Sequence, residues 1–343
     1  ATYYHATLTR NAIATLARAV ELSASASERE RLIIRSEWAY ASSSPSILAF
    51  AESLAVRYPA ELEGHLYVGR AFVNLGRFME SVPLLQRVVD MDSASLSGRT
   101  VSCSACAALS WMLAAYMHAD SSRAAEQVAR RWVAVQGGSP SAWRALGDVL
   151  QTNGRWAEAS EAYAVVSRLD SRNANVWDIQ VPLLLRRGEF VVAERLASQH
   201  VASTPSVSSW WTVISRRHSG RVQAAIDEAR RRIAAVGPTE PGSSMLLLLA
   251  QALFEGGQYR AAAAVFDSLA RAPDPRLEYS DFARQRGWVL THVADALAAA
   301  GDTARLAGIA DSVRLFGAQT SYGRDRRLFH HVRGLLLRAR GDS

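Results

Sequence analysis

Cys103 and Cys106 are the chain's two thiols, and they stand in the string C-S-A-C. A structural zinc site needs four ligands, and no second Cys or His pair of matching spacing follows. A redox pair needs a βαβ setting, which the pattern lacks. On a helix, a spacing of three puts both side chains on one face. Two readings stay open: small residues packing a helix, or a local disulfide kept by an oxidising compartment. His330 and His331 form the one adjacent His pair. Neighbours on a helix diverge by about 100°, and no H-E-x-x-H occurs, so no metal site is expected.

All 39 basic residues are Arg, against 32 acidic ones, a net charge of +7. Without Lys there is no Walker A loop, no protein-kinase strand lysine and no Schiff-base nucleophile. A pI near 9.8 permits contact with phosphate or an acidic membrane surface. No basic patch is interleaved with stacking aromatics, so no nucleic-acid partner is expected. The densest runs, Arg230-Arg231-Arg232 and Arg324-Asp325-Arg326-Arg327, would spread around a helix and read as solvated faces. Neither G-x-S-x-G nor a paired-carboxylate setting appears. No catalytic residue, cofactor or small-molecule substrate is expected.

These residues must be held by something, and the sequence repeats. Pro140 to Asn173 contains Trp143-x-x-Leu146-Gly147, Gly154-Arg155-Trp156, Ala159-x-x-x-Tyr163 and Asp170. Trp143 to Trp177 is 34 residues, and Trp177 to Trp211 is 34 again. Leu62 to Ser95 matches, with Gly69, Phe72, Gly76-Arg77-Phe78, Ser81 and Leu85. In Cys106 to Ser139, Asp120 replaces the turn Gly. Later units drift: Gly220-Arg221-Val222, Gly257-Gln258-Tyr259 after a Gly237 to Gly242 linker, and Gly301-Asp302-Thr303 after a long helix starting near Leu277. Each unit predicts two amphipathic helices reversed at a glycine, where a positive φ is cheap. One pair cannot bury both faces, so neighbours must stack. The uncharged run from Thr100 to Ala119 is long enough for a membrane span. Its serines and its fit to the repeat phase assign it to the array instead.

W-x-x-L-G … G-x-W … A-x-x-x-Y at this period resembles the tetratricopeptide repeat over roughly residues 60–343. The resemblance implies an all-α, right-handed α-solenoid of about eight helix pairs plus a terminal half repeat. Residues 1–60 are expected as divergent capping helices and 61–343 as one continuous domain. It also implies a groove lined by first helices that takes a protein segment. The family's groove positions fall here on Arg70 and Asn74; Arg144, Asp148 and Gln151; Asp178 and Arg186; Arg216; Gln251 and Glu255. Arginine forks among them suit a polar or acidic segment. The lysine and asparagine clamp of chaperone-binding members is not matched. Trp211 takes the core position, leaving Trp210 as a candidate interface anchor. Pro182 falls inside a first helix and should kink it.

Glu28 to Arg35, Arg57-Tyr58-Pro59, Gly69-Arg70-Ala71, Cys103-x-x-Cys106 and Ala129-Arg130-Arg131-Trp132 are similar to repeat regions appended to bacterial serine/threonine kinases and regulators. Such repeats often lie beyond a membrane helix, so the resemblance implies the extracytoplasmic, periplasmic side of a bacterial membrane, with the cytoplasm as the alternative. The chain starts at Ala1 rather than Met, as expected of a processed product or a piece of a longer one. The expected function is a protein-binding scaffold, an extrinsic subunit of a larger complex, a membrane-bound one among the candidates, with peripheral membrane association through it. A sensory region of a signalling protein is the rival reading, favoured if the reading frame extends into a kinase or DNA-binding module. Helical RNA readers keep base-reading side chains at fixed repeat positions. The corresponding positions here, such as Glu63 and Leu66 or Ser141 and Arg144, follow no order.

Overall fold

The computed structural model describes residues 2–97, 103–170, 176–199, 205–236, 243–271 and 279–341, with side chains apart from those at 2–11, 176–178, 205–208, 236, 243 and 279. The Gly237 to Gly242 linker lies outside the described residues, as do the side chains of Trp177 and Asp178. The chain divides into two compact units, Ala1–Ala174 with Ser321–Gly323 and Asn175–Thr320 with Arg324–Ser343.

The first unit holds α1 (Thr2–Leu22), α2 (Glu28–Ala41), α3 (Ile47–Arg57), α4 (Leu62–Leu75), α5 (Phe78–Met91), α6 (Ser104–His118), α7 (Ser122–Val135), α8 (Pro140–Thr152) and α9 (Trp156–Leu169). The second holds α10 (Val176–Arg186), α11 (Phe190–Gln199), α12 (Pro205–His218), α13 (Val222–Val236), α14 (Ser243–Glu255), α15 (Tyr259–Arg271), α16 (Tyr279–Ala299), α17 (Leu306–Gln319) and α18 (Leu328–Arg340). From α2 onward the helices pair in antiparallel hairpins, with α18 as the unpaired last member. This is the all-α repeat architecture that the 34-residue period predicts. Pro182 sits within α10 and does not end it.

Local chemistry explains the hairpins. Ser139 caps α8, its Oγ accepting from the Ala142 N–H at 3.4 Å, and Pro140 opens the helix. The reversal from α8 to α9 puts Gly154 at φ 74°, which glycine adopts without the clash a Cβ would make. Asp120 holds the same post between α6 and α7 at φ 53°; a short polar side chain tolerates this region better than most. The uncharged run supplies α6 from Ser104 onward, burying Ala105, Ala108, Leu109 and Met112. Among the described residues no helix is long and apolar enough to cross a membrane.

Helices of one pair approach by matching small to large. A Cβ on Gly147 of α8 would lie 2.5 Å from the Tyr163 ring of α9. One repeat later the volumes are exchanged: Val181 of α10 and Ala197 of α11 are both fully buried in one cluster with Ala193. Either combination fills the space, as close packing demands.

Successive pairs are also stitched by charge. Arg155, at the α8–α9 turn, pairs with Glu126 of α7 and with Glu158 of its own repeat. Arg221, at the α12–α13 turn, pairs with Glu194 of α11. Arg305, entering α17, reaches Asp267 of α15 at 2.8 Å. Burial pushes the Glu126, Glu194 and Asp267 carboxyls up, but hydrogen bonds from their arginines outweigh it and hold all three below the usual carboxylate range.

Candidate functional site

First helices touch the next first helix in each unit: α2 with α4, α4 with α6 and α6 with α8; α10 with α12, α12 with α14 and α16 with α18. Among the described residues second helices meet through long side chains, as where Arg130 of α7 lies 3.5 Å from Glu158 of α9. Successive first helices therefore form a ridge within each unit.

In the first unit the ridge centres on Arg70. Its guanidinium lies 3.1 Å from the centre of the Tyr40 ring, 5.3 Å from that of Trp111 and 5.8 Å from that of Tyr67. Three consecutive first helices, α2, α4 and α6, thus meet around one cation. Such contacts stabilise a desolvated cation by about 2 kcal/mol at most sites of this kind. Burial pulls the Arg70 guanidinium down to about 10, with Glu37 acting in the opposite sense; it stays charged at neutral pH. Glu37 accepts a hydrogen bond from the Tyr67 hydroxyl. Burial, then that bond, pushes the Tyr67 phenol far above its ordinary value. Asn74 is half-buried one turn beyond Arg70.

Farther along, Asp148 and Gln151 of α8 converge on Tyr163. Its hydroxyl stands 2.7 Å from Asp148 Oδ1 and 2.8 Å from the Gln151 amide. One proton serves the carboxylate, so the amide must turn its N–H₂ to the phenol oxygen. Arg144 is half-buried on the same helix.

In the second unit two neighbouring arginines of α12 are paired within the fold. Arg216 donates to Glu194 at 2.8 Å and to Glu228 at 3.1 Å, on α11 and α13. It thus faces second helices, not the ridge its sequence position implied. The next residue, Arg217, faces the ridge: it donates to Gln251 at 2.7 Å and to Glu255 at 2.9 Å on α14. Gln251 and Glu255 are therefore brought together by a residue the sequence reading missed. Arg186 is exposed at the end of α10, and the Asp178 side chain lies outside the described residues.

Trp210 is half-buried, not free: it packs on the hydrophobic core of the second unit and meets Trp211 edge-on at 4.5 Å. The indole that does stand out is Trp288 of α16, 45% exposed. Cys103 and Cys106 are joined by a disulfide with Cα atoms 5.1 Å apart. Cys103 caps α6, its Sγ accepting from the Cys106 N–H. No group of three or more His, Cys, Asp or Glu among the described residues could hold a metal ion.

The repeat and the hairpin stack define the fold: an all-α array of helix pairs like those of tetratricopeptide repeats. No protein-family model and no curated protein sequence matches the chain. Among solved structures it is similar to a tetratricopeptide repeat protein from Parabacteroides merdae, with a TM-score of 0.53 at 12% identity, covering 76% of this chain and 98% of that one. Yeast Tom70 aligns over 99% of this chain and 94% of its own at a TM-score of 0.47 and 9% identity. The Cut9–Hcn1 hetero-tetramer of the APC/C aligns over 94% of this chain at a TM-score of 0.42 and 14% identity, and this chain spans 59% of the matched chain's length.

Proposed function

We propose that the chain is a non-catalytic interaction scaffold, an extrinsic subunit that binds and holds a larger protein assembly on the extracytoplasmic face of a bacterial membrane. The observation that carries this reading is the ridge of the first unit, where aromatic, amide and charged side chains from successive first helices line one surface. Such a surface offers shape and hydrogen bonding to an extended segment and needs no reactive group. The joined cysteine pair is what an oxidising compartment preserves, and it supports the outward placement. Membrane attachment then runs through the partner.

Fractionated native membranes test the proposal. The chain should stay with membranes in low salt, come off in alkali, and cross-link to the same neighbours through α2, α4, α6 and α8. A chain recovered only in the soluble fraction, with no recurrent cross-linked neighbour, overturns it.

A further inference from the structure

Several half-buried arginines of this chain are answered by carboxylates. Arg155, Arg216 and Arg217 each meet two acceptor side chains. Arg70 is different. Among the described residues it has no hydrogen bond and no ion pair; its neighbours are three aromatic rings. Its Nε is sealed from water without a partner, whereas neither Nη nitrogen is sealed. The nearest acid, Glu37, is held by the Tyr67 hydroxyl instead of by the guanidinium. A desolvated fork with two open donors is a preformed receptor for a planar anion.

We propose that Arg70 anchors a binding site for an acidic protein segment, its two Nη nitrogens taking one aspartate or glutamate carboxylate while Tyr40 and Trp111 pack the flanking atoms. This deepens the scaffold reading and rests on it. The charge of the surroundings selects the ligand. Glu37 acts on Arg70, and Glu63 acts with it on Tyr67, so a single cation sits among two acids. A dianionic phosphate would be repelled more than a monoanionic carboxylate. The aromatic walls favour a carboxylate carried on a chain with apolar neighbours over a free, fully hydrated ion.

The test is calorimetric titration of the full chain with an N-acetylated, C-amidated heptapeptide carrying one central glutamate among uncharged residues, beside its glutamine counterpart and inorganic phosphate. The glutamate peptide should bind about tenfold or more tightly than the glutamine one, the scale of a lost charged hydrogen bond, and phosphate should not compete. Arg70→Gln should abolish that preference. Arg70→Lys keeps the charge but loses the fork, so it should fall between; it decides the matter if the glutamine variant fails to fold. Equal binding of the two peptides, an unchanged preference in both variants, or phosphate competing at the peptide's own strength overturns the site. Cross-linked neighbours that persist in Arg70→Gln while peptide selectivity is absent reject this site and leave the scaffold standing. A soluble, unaccompanied chain rejects the scaffold itself.

Discussion

Arg70 in the first unit and Arg216 in the second are both half-buried guanidiniums on first helices, yet their surroundings are opposites. Arg216 lies between the Glu194 and Glu228 carboxylates, each side chain less than one-fifth exposed. Arg70 lies against π faces and meets no carboxylate at pairing distance. The first arrangement closes a circuit of charge inside the fold. The second leaves a cation against rings, with Glu37 acting on it from beyond pairing distance. Packing shows a parallel contrast: Gly147 with Tyr163 in one unit, Val181 with Ala197 in the other. Repeats of one period can thus solve the same steric problem while presenting different chemistry.

The largest effect should come from the packing contrast. Tyr163→Ala opens a cavity beside Gly147 and should cost about 4 kcal/mol in chemical denaturation. Adding Gly147→Val recreates the neighbouring repeat's arrangement and should recover about 1–2 kcal/mol, although Gly147→Val alone should cost about 2 kcal/mol by overpacking. Simple additivity of the two changes would break the claim that they share one space. Arg216→Leu comes next. It takes one of two arginines from each of two half-buried carboxylates, Glu194 keeping Arg221 and Glu228 keeping Arg231, and should cost about 1–2 kcal/mol, read from the same curves.

Acid should act on the second unit through His292. Burial holds its imidazole below the ordinary value; Asp295 opposes the shift and His331 adds to it. The ring stacks on Phe266 at 5.1 Å, while His331 lies 2.6 Å from Asp295. The unfolded chain takes up the proton first. Stability supplied by the neutral ring is therefore present above about pH 6.5 and lost as pH falls through the lower folded value. His292→Gln should flatten that part of a thermal-melt pH profile, and an unchanged profile would remove His292 from the account. The smallest effect is the most informative. Arg70→Leu removes both the ring contacts and the cost of burying a cation, and Glu37 keeps its Tyr67 partner, so stability should move by no more than about 1 kcal/mol. A loss equal to that of Arg216→Leu would mean that the two sites are alike after all.

The hairpin stack was legible because its signals are local. Trp143, Gly147, Gly154 and Tyr163 fall within one repeat, and Asp120 announced itself by standing where glycine should. The ridge was legible only in part. Arg216 was chosen where Arg217 belongs: one residue of phase turns a helix by about 100°, enough to swap the ridge for the second helices. Counting one period back from Gln251 lands on Arg217 (251 − 217 = 34), and that arithmetic could have found it. Arg70 was named, but its ring partners were not. Tyr40 and Trp111 lie on other helices, and no spacing rule brings three repeats to one cation. Trp210 illustrates the remaining gap, since exposure depends on what a neighbouring repeat places over the ring.

The charged stitches have an evolutionary corollary. Each joint takes its acid from one repeat and its base from the turn of the next, so neither half depends on which particular repeat supplies the other. Glu126 and Glu194 stand two whole periods apart (194 − 126 = 68). Deleting that block would bring Glu126 before Arg221, and duplicating it would create another such joint. An array sewn this way can lengthen or shorten across generations without inventing a new junction, leaving its ridge free to diversify.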